Sequence, residues 1–470
     1  MILFILNNEL IETDQPEGMV LIDFIRSRQR LTGTKIGCRE GDCGACTVLE
    51  GTLNNGTVEY QSILSCLTPL GNVQGKHIVT IEGIEQENLS PVQQAMSDRA
   101  ATQCGFCTPG FIMALTAHSL KKENSDTQKT IASVSGNICR CTGYKSIELA
   151  AEDINQNLKG KDLNNTTHWL VKHGFVPDYF LTIPEKLEQI KTQETRKPGI
   201  AVGGGTDLFV QKADALYYAD LHLTRDRSEM KQITFSGNRC FVGASVTASR
   251  LMENDQLINY FPDLKQYFKL ISSEPVRNMG TLAGNIVNAS PIADLVALFL
   301  ALDSTVHLKK EKKEREIPLR EFYKGYKQTA LLQNERIEKV SFELPTVYSV
   351  FNFEKVSKRT HLDIASVNTA LHLTVKKGTI TKATLAAGGV FPYPFYAQQT
   401  NSFLAGKPVS SETVREAAQV LMNEIAPISD IRGSKEYKSL LLRQLFFAHF
   451  VKLFPDTIHF SELIHQTASS

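Results

Sequence analysis

Eight of the nine cysteines lie in the first 141 residues, and their spacing limits what the N-terminal third can fold into. Cys38, Cys43 and Cys46 follow the pattern C-x4-C-x2-C, with Cys66 further on. Plant-type ferredoxin loops hold a [2Fe–2S] cluster with this spacing. Three thiolates from one loop need a backbone that turns tightly, and Gly37, Gly41 and Gly44 stand among them. Zinc is the competing reading, although structural zinc prefers paired C-x2-4-C knuckles. The clustering disfavours a disulfide framework, and Met1–Leu6 reads as a first strand rather than a signal peptide.

The flanks suit a small ferredoxin-like fold. Met1–Leu6 and Glu9–Thr13 read as a hairpin around Asn7-Asn8. The apolar pattern predicts a helix over Val20–Arg26. Cys46–Leu49 and Thr57–Gln61 read as further strands, and Ser62–Ser65 as a strand end that carries Cys66 across.

The second group is Cys104-x2-Cys107 with Cys139-x-Cys141. A lone C-x2-C leaves zinc, a redox dithiol and a second cluster open. Its surroundings are helical. Ser90-Pro91-Val92-Gln93 predicts a capping box with proline at the first helical position. Thr108-Pro109 opens a helix through Leu120, and a third helix is expected over Ser146–Asn155. A helix start beside Cys107 favours thiolate charge.

Gln103-Cys104-Gly105-Phe106-Cys107-Thr108-Pro109-Gly110, taken with Gly136–Tyr144, resembles the second [2Fe–2S] domain of the xanthine oxidase family of molybdenum hydroxylases. The first cysteine group is similar to the plant-type domain that precedes it there. The resemblance implies that Cys38, Cys43, Cys46 and Cys66 ligate one [2Fe–2S] cluster. Cys104, Cys107, Cys139 and Cys141 would ligate another.

Lys159–Thr167 is polar and aperiodic and reads as a linker, with the sole Trp169 just beyond it. A new domain is expected near Tyr179, with a helix over Pro184–Gln193 and a strand over Gly199–Val202. Gly203-Gly204-Gly205-Thr206-Asp207 follows that strand. Such a loop can turn its amides to a phosphate, although an ordinary turn is the simpler reading. The resemblance assigns Val202, Gly203, Gly204, Gly205, Thr206 and Asp207 to the FAD pyrophosphate. A second segment, Pro275–Ile286 leading to Ala289–Asp294, is similar to the family's second FAD segment. It implies flavin-nucleotide contacts at Thr281, Gly284, Asn285 and Asp294. It also places Ile271 by the flavin ring, with Ile337 and Lys355 completing the pocket. Asp294 doubles as a candidate N-cap of the apolar helix Leu295–Leu302.

Phe322–Thr329 resembles the family's Gly-Tyr-Arg-Lys-Thr stretch, with Lys327 where arginine is usual. Lysine keeps the charge but loses the planar fork. The eight charges Lys309–Glu316 read as a solvated hairpin tip between strands Thr305–Leu308 and Ile317–Leu319. Cys240 reads as a buried strand residue, and His361 and His372 as structural or solvated. Strands are expected over Asn352–Val356, Ala370–Val375 and Ala383–Ala387, then helices over Ser411–Ala426 and Lys435–Phe454.

The expected fold class is therefore multi-domain α+β. A ferredoxin-like β-grasp domain (1–76) precedes a helical [2Fe–2S] domain (77–158) and a linker (159–176). An FAD-binding domain (177–345) and a C-terminal α+β subdomain (346–456) follow. The 470 residues suffice for these cores. A formal charge of +1 argues against nucleic-acid or membrane-surface binding, and Leu295–Leu302 is the longest apolar run.

The resemblance points to the iron–sulfur/FAD small subunit of bacterial-type xanthine dehydrogenases. It implies a molybdopterin-binding large subunit as partner, NAD⁺ as acceptor, a hetero-oligomer and a cytoplasmic location. No residue of this chain would itself attack substrate. The alternatives are a subunit of an aldehyde- or N-heterocycle-oxidising relative, O₂ as acceptor, or a zinc–cysteine scaffold without flavin.

Overall fold

The computed structural model describes residues 1–190, 198–359 and 362–464. His361 and residues 191–193 of the expected Pro184–Gln193 helix lie outside them. Two compact units result. The first is Met1–Asp226 with Ser273–Gly280; the second is Arg227–Ser272 with the chain from Thr281 onward. The expected FAD-binding domain is thus divided, because its first fifty residues pack with the cysteine-bearing domains.

In the first unit, β1 (Ile2–Leu6), β2 (Glu9–Thr13), β3 (Thr47–Asn54), β4 (Thr57–Leu64) and β5 (His77–Val79) form a mixed sheet of order β2-β1-β5-β3-β4. Phe4 pairs with Ile11 across the first hairpin. Strands β3 and β4 run further than their sequence signal, with Thr47 opposite Leu64. The helix expected over Val20–Arg26 forms as one α-turn, Leu21–Asp23, and then widens into a π-helix over Phe24–Arg28. The Gln29 amide reaches the Phe24 carbonyl there, 3.1 Å away.

The helix Thr108–Leu120 is buried from Gly110 to its end. Its Phe111 and Leu115 share one core with Leu49, Val58 and Tyr60 of the sheet. The capping box at Ser90 is complete: Gln93 N–H donates to Ser90 Oγ, and Ser90 N–H to Gln93 Oε1. The stretch read as a linker is packed instead. It contains a helix, Thr166–Lys172, whose Leu170 is buried in that same core. Trp169 stacks on His173 at 3.9 Å. The helix before the glycine loop is shorter than its sequence signal, Ile183–Glu188. The parallel pair β6 (Ile200–Val202) and β7 (Leu221–Leu223) closes the unit; Val202 and Leu221 join the core of Phe4, Cys46 and Cys66.

The second unit holds two sheets. The antiparallel strands β8 (Ile233–Ser236), β9 (Arg239–Gly243), β10 (Thr305–Lys310), β11 (Lys313–Pro318) and β14 (Arg336–Glu343) run in the order β11-β10-β14-β9-β8. The small pair β12 (Tyr323–Gly325) and β13 (Gln328–Thr329) lies between β11 and β14 in sequence. Most of the charge run belongs to strands, since only Glu311-Lys312 turns and Lys309 pairs with Glu314 at 2.8 Å. Cys240 is fully buried on β9, where burial pushes its thiol up to about 12.

The other sheet orders β15 (Ser349–Val356), β16 (Val367–Lys376), β17 (Thr379–Gly388) and β18 (Phe395–Tyr396) in sequence. Strand β16 is buried on both faces. Its Ala370 joins the core that holds the helix Asp294–Ala301, whereas Leu371 and Leu373 meet Phe446 and Phe450 of the helix Lys435–Leu453. Burial on β16 holds the His372 ring down at about 4.

Candidate functional site

The first thiol group hangs on one irregular loop. Arg39, Gly41 and Gly44 all take positive φ, which lets Cys38, Cys43 and Cys46 face one point within a short stretch. Arg39 is anchored outward by Asp23, 2.6 Å away. Cys66 arrives from the turn after β4. Cys43 hydrogen-bonds Cys38, which holds the Cys38 thiol down at about 4 and pushes Cys43 up. Cys46 and Cys66 pair in the same way, with Cys46 held down and Cys66 pushed up. Glu40 N–H also donates to Cys38 Sγ at 3.3 Å. An amide donor of this kind stabilises sulfur charge.

The second group lies nearer solvent, with Cys104 and Cys141 exposed and Cys139 buried. Cys104 hydrogen-bonds Cys141 and raises its thiol pKa. Burial, followed by a hydrogen bond with Cys139, pushes Cys107 up to about 12. Burial opposes ionisation of Cys139, yet donors led by the Thr142 hydroxyl, 3.2 Å from Sγ, lower it overall. Cys139 N–H donates to the Tyr144 hydroxyl at 3.1 Å, and Tyr144 itself takes a left-handed φ of 69°. The thiols thus meet as two tetrads made of close pairs. Among the described residues, no three His, Cys, Asp or Glu side chains converge on a single metal ion. The donor sets are all-thiol, as [2Fe–2S] clusters require.

The glycine loop follows β6 and opens the helix Leu208–Leu216. A methyl group on Gly204 would collide with the Met279 carbonyl, and one on Gly205 would lie 2.7 Å from the Leu67 carbonyl. Only glycine lets the loop come this close, and Asn72 Nδ2 fixes the Gly203 carbonyl at 2.8 Å. The Gly204, Gly205 and Thr206 amides have no hydrogen-bond acceptor among the described residues. Three such amides at a helix start fit a phosphate. Val202 is buried below the loop, and Asp207 occupies the helix N-cap without a side-chain cap bond.

In the second unit, Thr281 caps the helix Leu282–Asn288 by accepting the Gly284 amide at 3.2 Å. Its hydroxyl proton remains available as a donor. Gly284 is exposed, and the Asn285 Oδ1 is buried with no partner among the described residues. An orphaned acceptor beside an open glycine fits a bound polar ligand.

Asp294 corrects the sequence expectation. It is the first residue of its helix, and Ala293 is the N-cap. The Asp294 carboxylate instead accepts Lys355 Nζ at 2.7 Å and Asn368 Nδ2 at 2.6 Å. Burial pushes its carboxyl up, and Lys355, then Asn368, offset part of that. Lys355 also donates to the Leu270 carbonyl at 2.7 Å. Ile271 and Ile337 are each only 4% exposed within the core of this unit, so neither offers more than an edge to a ligand. Lys327 Nζ donates to the Asn288 carbonyl at 2.6 Å and so caps the helix that Thr281 begins.

Sequence reading missed Asn72, Met279 and Asn137. The last stands inside the second cysteine motif, and that placement was its only signal.

Four family models match in succession. They are the 2Fe-2S iron-sulfur cluster binding domain (4–71), the [2Fe-2S] binding domain (80–152), the FAD binding domain in molybdopterin dehydrogenase (177–346) and the CO dehydrogenase flavoprotein C-terminal domain (353–453). Xanthine dehydrogenase of Emericella nidulans is 30% identical over 87% of this chain and 35% of its own length. Aldehyde oxidase 1 of Bos taurus is 26% identical over 97% of this chain and 40% of its own length. The chain therefore spans little more than a third of these relatives. Among solved structures, quinoline 2-oxidoreductase from Pseudomonas putida 86 aligns with a TM-score of 0.50 at 27% identity, covering 55% of this chain and 90% of its own. Cu,Mo-CO dehydrogenase aligns with a TM-score of 0.50 at 25% identity, covering 53% of this chain and 89% of its own.

Proposed function

The chain belongs to the xanthine oxidase family of molybdenum hydroxylases, as its iron–sulfur and flavin part, and from that premise we propose that it is the electron-transfer subunit of a xanthine dehydrogenase. It would link purine hydroxylation at a molybdenum centre on a separate molybdopterin-binding chain to reduction of NAD⁺. When bound, the clusters supply one-electron relay sites and FAD supplies the exchange between single electrons and pairs.

The observation that carries the reading is the pair of all-thiol tetrads in the same compact unit as the glycine loop. In this reading Cys38, Cys43, Cys46 and Cys66 hold one cluster, and Cys104, Cys107, Cys139 and Cys141 hold the other. Glu40 and Thr142 supply donors to the sulfurs. Val202–Asp207 offers amides to the FAD pyrophosphate, while Thr281, Gly284 and Asn285 offer a donor, an approach and an acceptor to the nucleotide. Asp294 and Lys355 hold each other and the backbone at Leu270, so their part is to fix that wall. No side chain here performs the hydroxylation.

Aldehyde oxidase 1 matches nearly the whole chain, which keeps an aldehyde or N-heterocycle substrate as the second reading. The test adds NADH anaerobically to the purified chain with its partner and records the visible spectrum. Bleaching of flavin and iron–sulfur bands together supports an NAD-linked module. Bleaching by dithionite alone would overturn NAD⁺ as acceptor, and a colourless, zinc-containing protein would overturn the cofactor assignment.

A further inference from the structure

The two cysteine loops are joined directly. The Ile138 amide donates to the Cys43 carbonyl at 3.0 Å. Cys43 belongs to the first tetrad, and Ile138 precedes Cys139 of the second. One hydrogen bond and a short run of covalent bonds therefore connect a thiol of each group.

Beside this contact stands Asn137, 5% exposed. Its Nδ2 donates to the Gly44 carbonyl at 3.1 Å. That carbonyl also accepts the Thr47 amide and hydroxyl, at 3.2 and 2.7 Å. The Asn137 Oδ1 is buried with no partner among the described residues. Burying an unpaired acceptor is unfavourable, so the side chain is held there for what its amide group does. The fit is close on every side. A methyl group on Gly44 would lie 2.5 Å from Asn137 Nδ2, and one on Gly110 would collide with the Gly44 carbonyl.

We infer that Asn137 is the positioning residue of the contact between the two cluster sites. Its amide clamps Gly44 and so keeps the neighbouring Cys43 carbonyl on the Ile138 amide, the electronic bridge between the tetrads. The inference rests on the reading that both tetrads hold [2Fe–2S] clusters.

The test uses Asn137→Ala, with Asn137→Ser keeping a shorter hydroxyl donor, in the full chain with its partner. Iron content and the low-temperature EPR signals of the dithionite-reduced protein report whether each cluster is present. The magnetic interaction between the two reduced clusters reports their coupling. Redistribution of a single electron after pulse reduction reports the transfer rate. Asn137→Ala is expected to keep both signals, weaken their interaction and slow redistribution about tenfold or more, as small misplacements do. Asn137→Ser is expected to fall between it and the wild type. Both signals retained with unchanged interaction and rate would overturn the inference. Loss of the second cluster alone in both variants would also overturn it, because Asn137 would then serve the folding of its own loop. A wild-type protein without two [2Fe–2S] signals would instead sink the functional reading beneath it.

Discussion

Lys355 and Asp294 form an ion pair of 2.7 Å in the second unit, with the lysine side chain 1% exposed. Removing one member of such a pair leaves an uncompensated charge and costs about 3–5 kcal/mol. Lys355→Met is therefore expected to lower the urea midpoint of this unit and its flavin content together. Burial raises the Asp294 carboxyl pKa. A carboxyl raised in the folded state contributes stability at low pH and loses it as pH rises through that value. The deficit of Lys355→Met should thus shrink as the melts are repeated from pH 7 towards pH 5. A deficit independent of pH would mean that Asp294 finds another cation.

The opposite sign is expected at Glu50. This carboxylate is fully buried on β3, with two bonds from Arg225 at 2.6 and 2.8 Å and Lys76 at 3.3 Å. Burial pushes its pKa up, but Arg225 and then Lys76 outweigh that and hold it below its ordinary 4.5. The stability it lends is present above 4.5 and is lost as pH falls through the lowered value. Glu50→Gln leaves two buried cations and should cost about 3–5 kcal/mol at pH 7. Its penalty should fade in acid. Thermal melts of the first unit at pH 7 and pH 4 separate this from a simple packing defect, which would cost the same at both.

These two pairs show what the sequence carries and what it does not. The capping box at Ser90 and the helix from Thr108 are local: each signal and its partner lie within one turn, so both were readable. The cysteine spacing was readable because cluster chemistry restricts the loop that carries it. Arg225 is 175 positions from Glu50, and Lys355 is 61 from Asp294. No periodicity links such residues. Asp294 therefore read as a cap, and residues 177–226 read as part of one flavin domain. The π-helix at Phe24 was unreadable because its apolar pattern is that of an α-helix.

Three histidines should set the acid limit. Burial holds His77, His118 and His449 each down at about 3. In the unfolded chain they titrate near 6.5, so it binds more protons than the folded one as pH falls from there. Each should remove about 1.4 kcal/mol between pH 7.5 and 5.5. His449 lies between Asn352 Nδ2 and Thr369 Oγ1, both 2.8 Å away. His449→Gln should flatten the slope of the second unit in that window. Equal slopes for variant and wild type would remove His449 from the account.

Gly205 places the strictest demand on the loop. Its φ is 86°, and a methyl group there would lie 2.7 Å from the Leu67 carbonyl and 3.0 Å from the Phe209 ring. Leu67 follows Cys66 directly and is held in place, since its amide donates to the Leu64 carbonyl and the adjacent Thr68 carbonyl accepts the Leu21 amide. The loop must therefore give way rather than the cysteine turn. Gly205→Ala should cost about 1–3 kcal/mol and reduce flavin per chain while iron per chain stays constant. Gly56→Ala is the control, for Gly56 has a φ of 75° with nothing within 4 Å of the added methyl. It carries the backbone strain without the collision and should keep both flavin and iron. Flavin and iron falling in parallel in Gly205→Ala would show that the turn at Cys66 yields first. Unchanged flavin would show that the loop at 203–207 does not hold it.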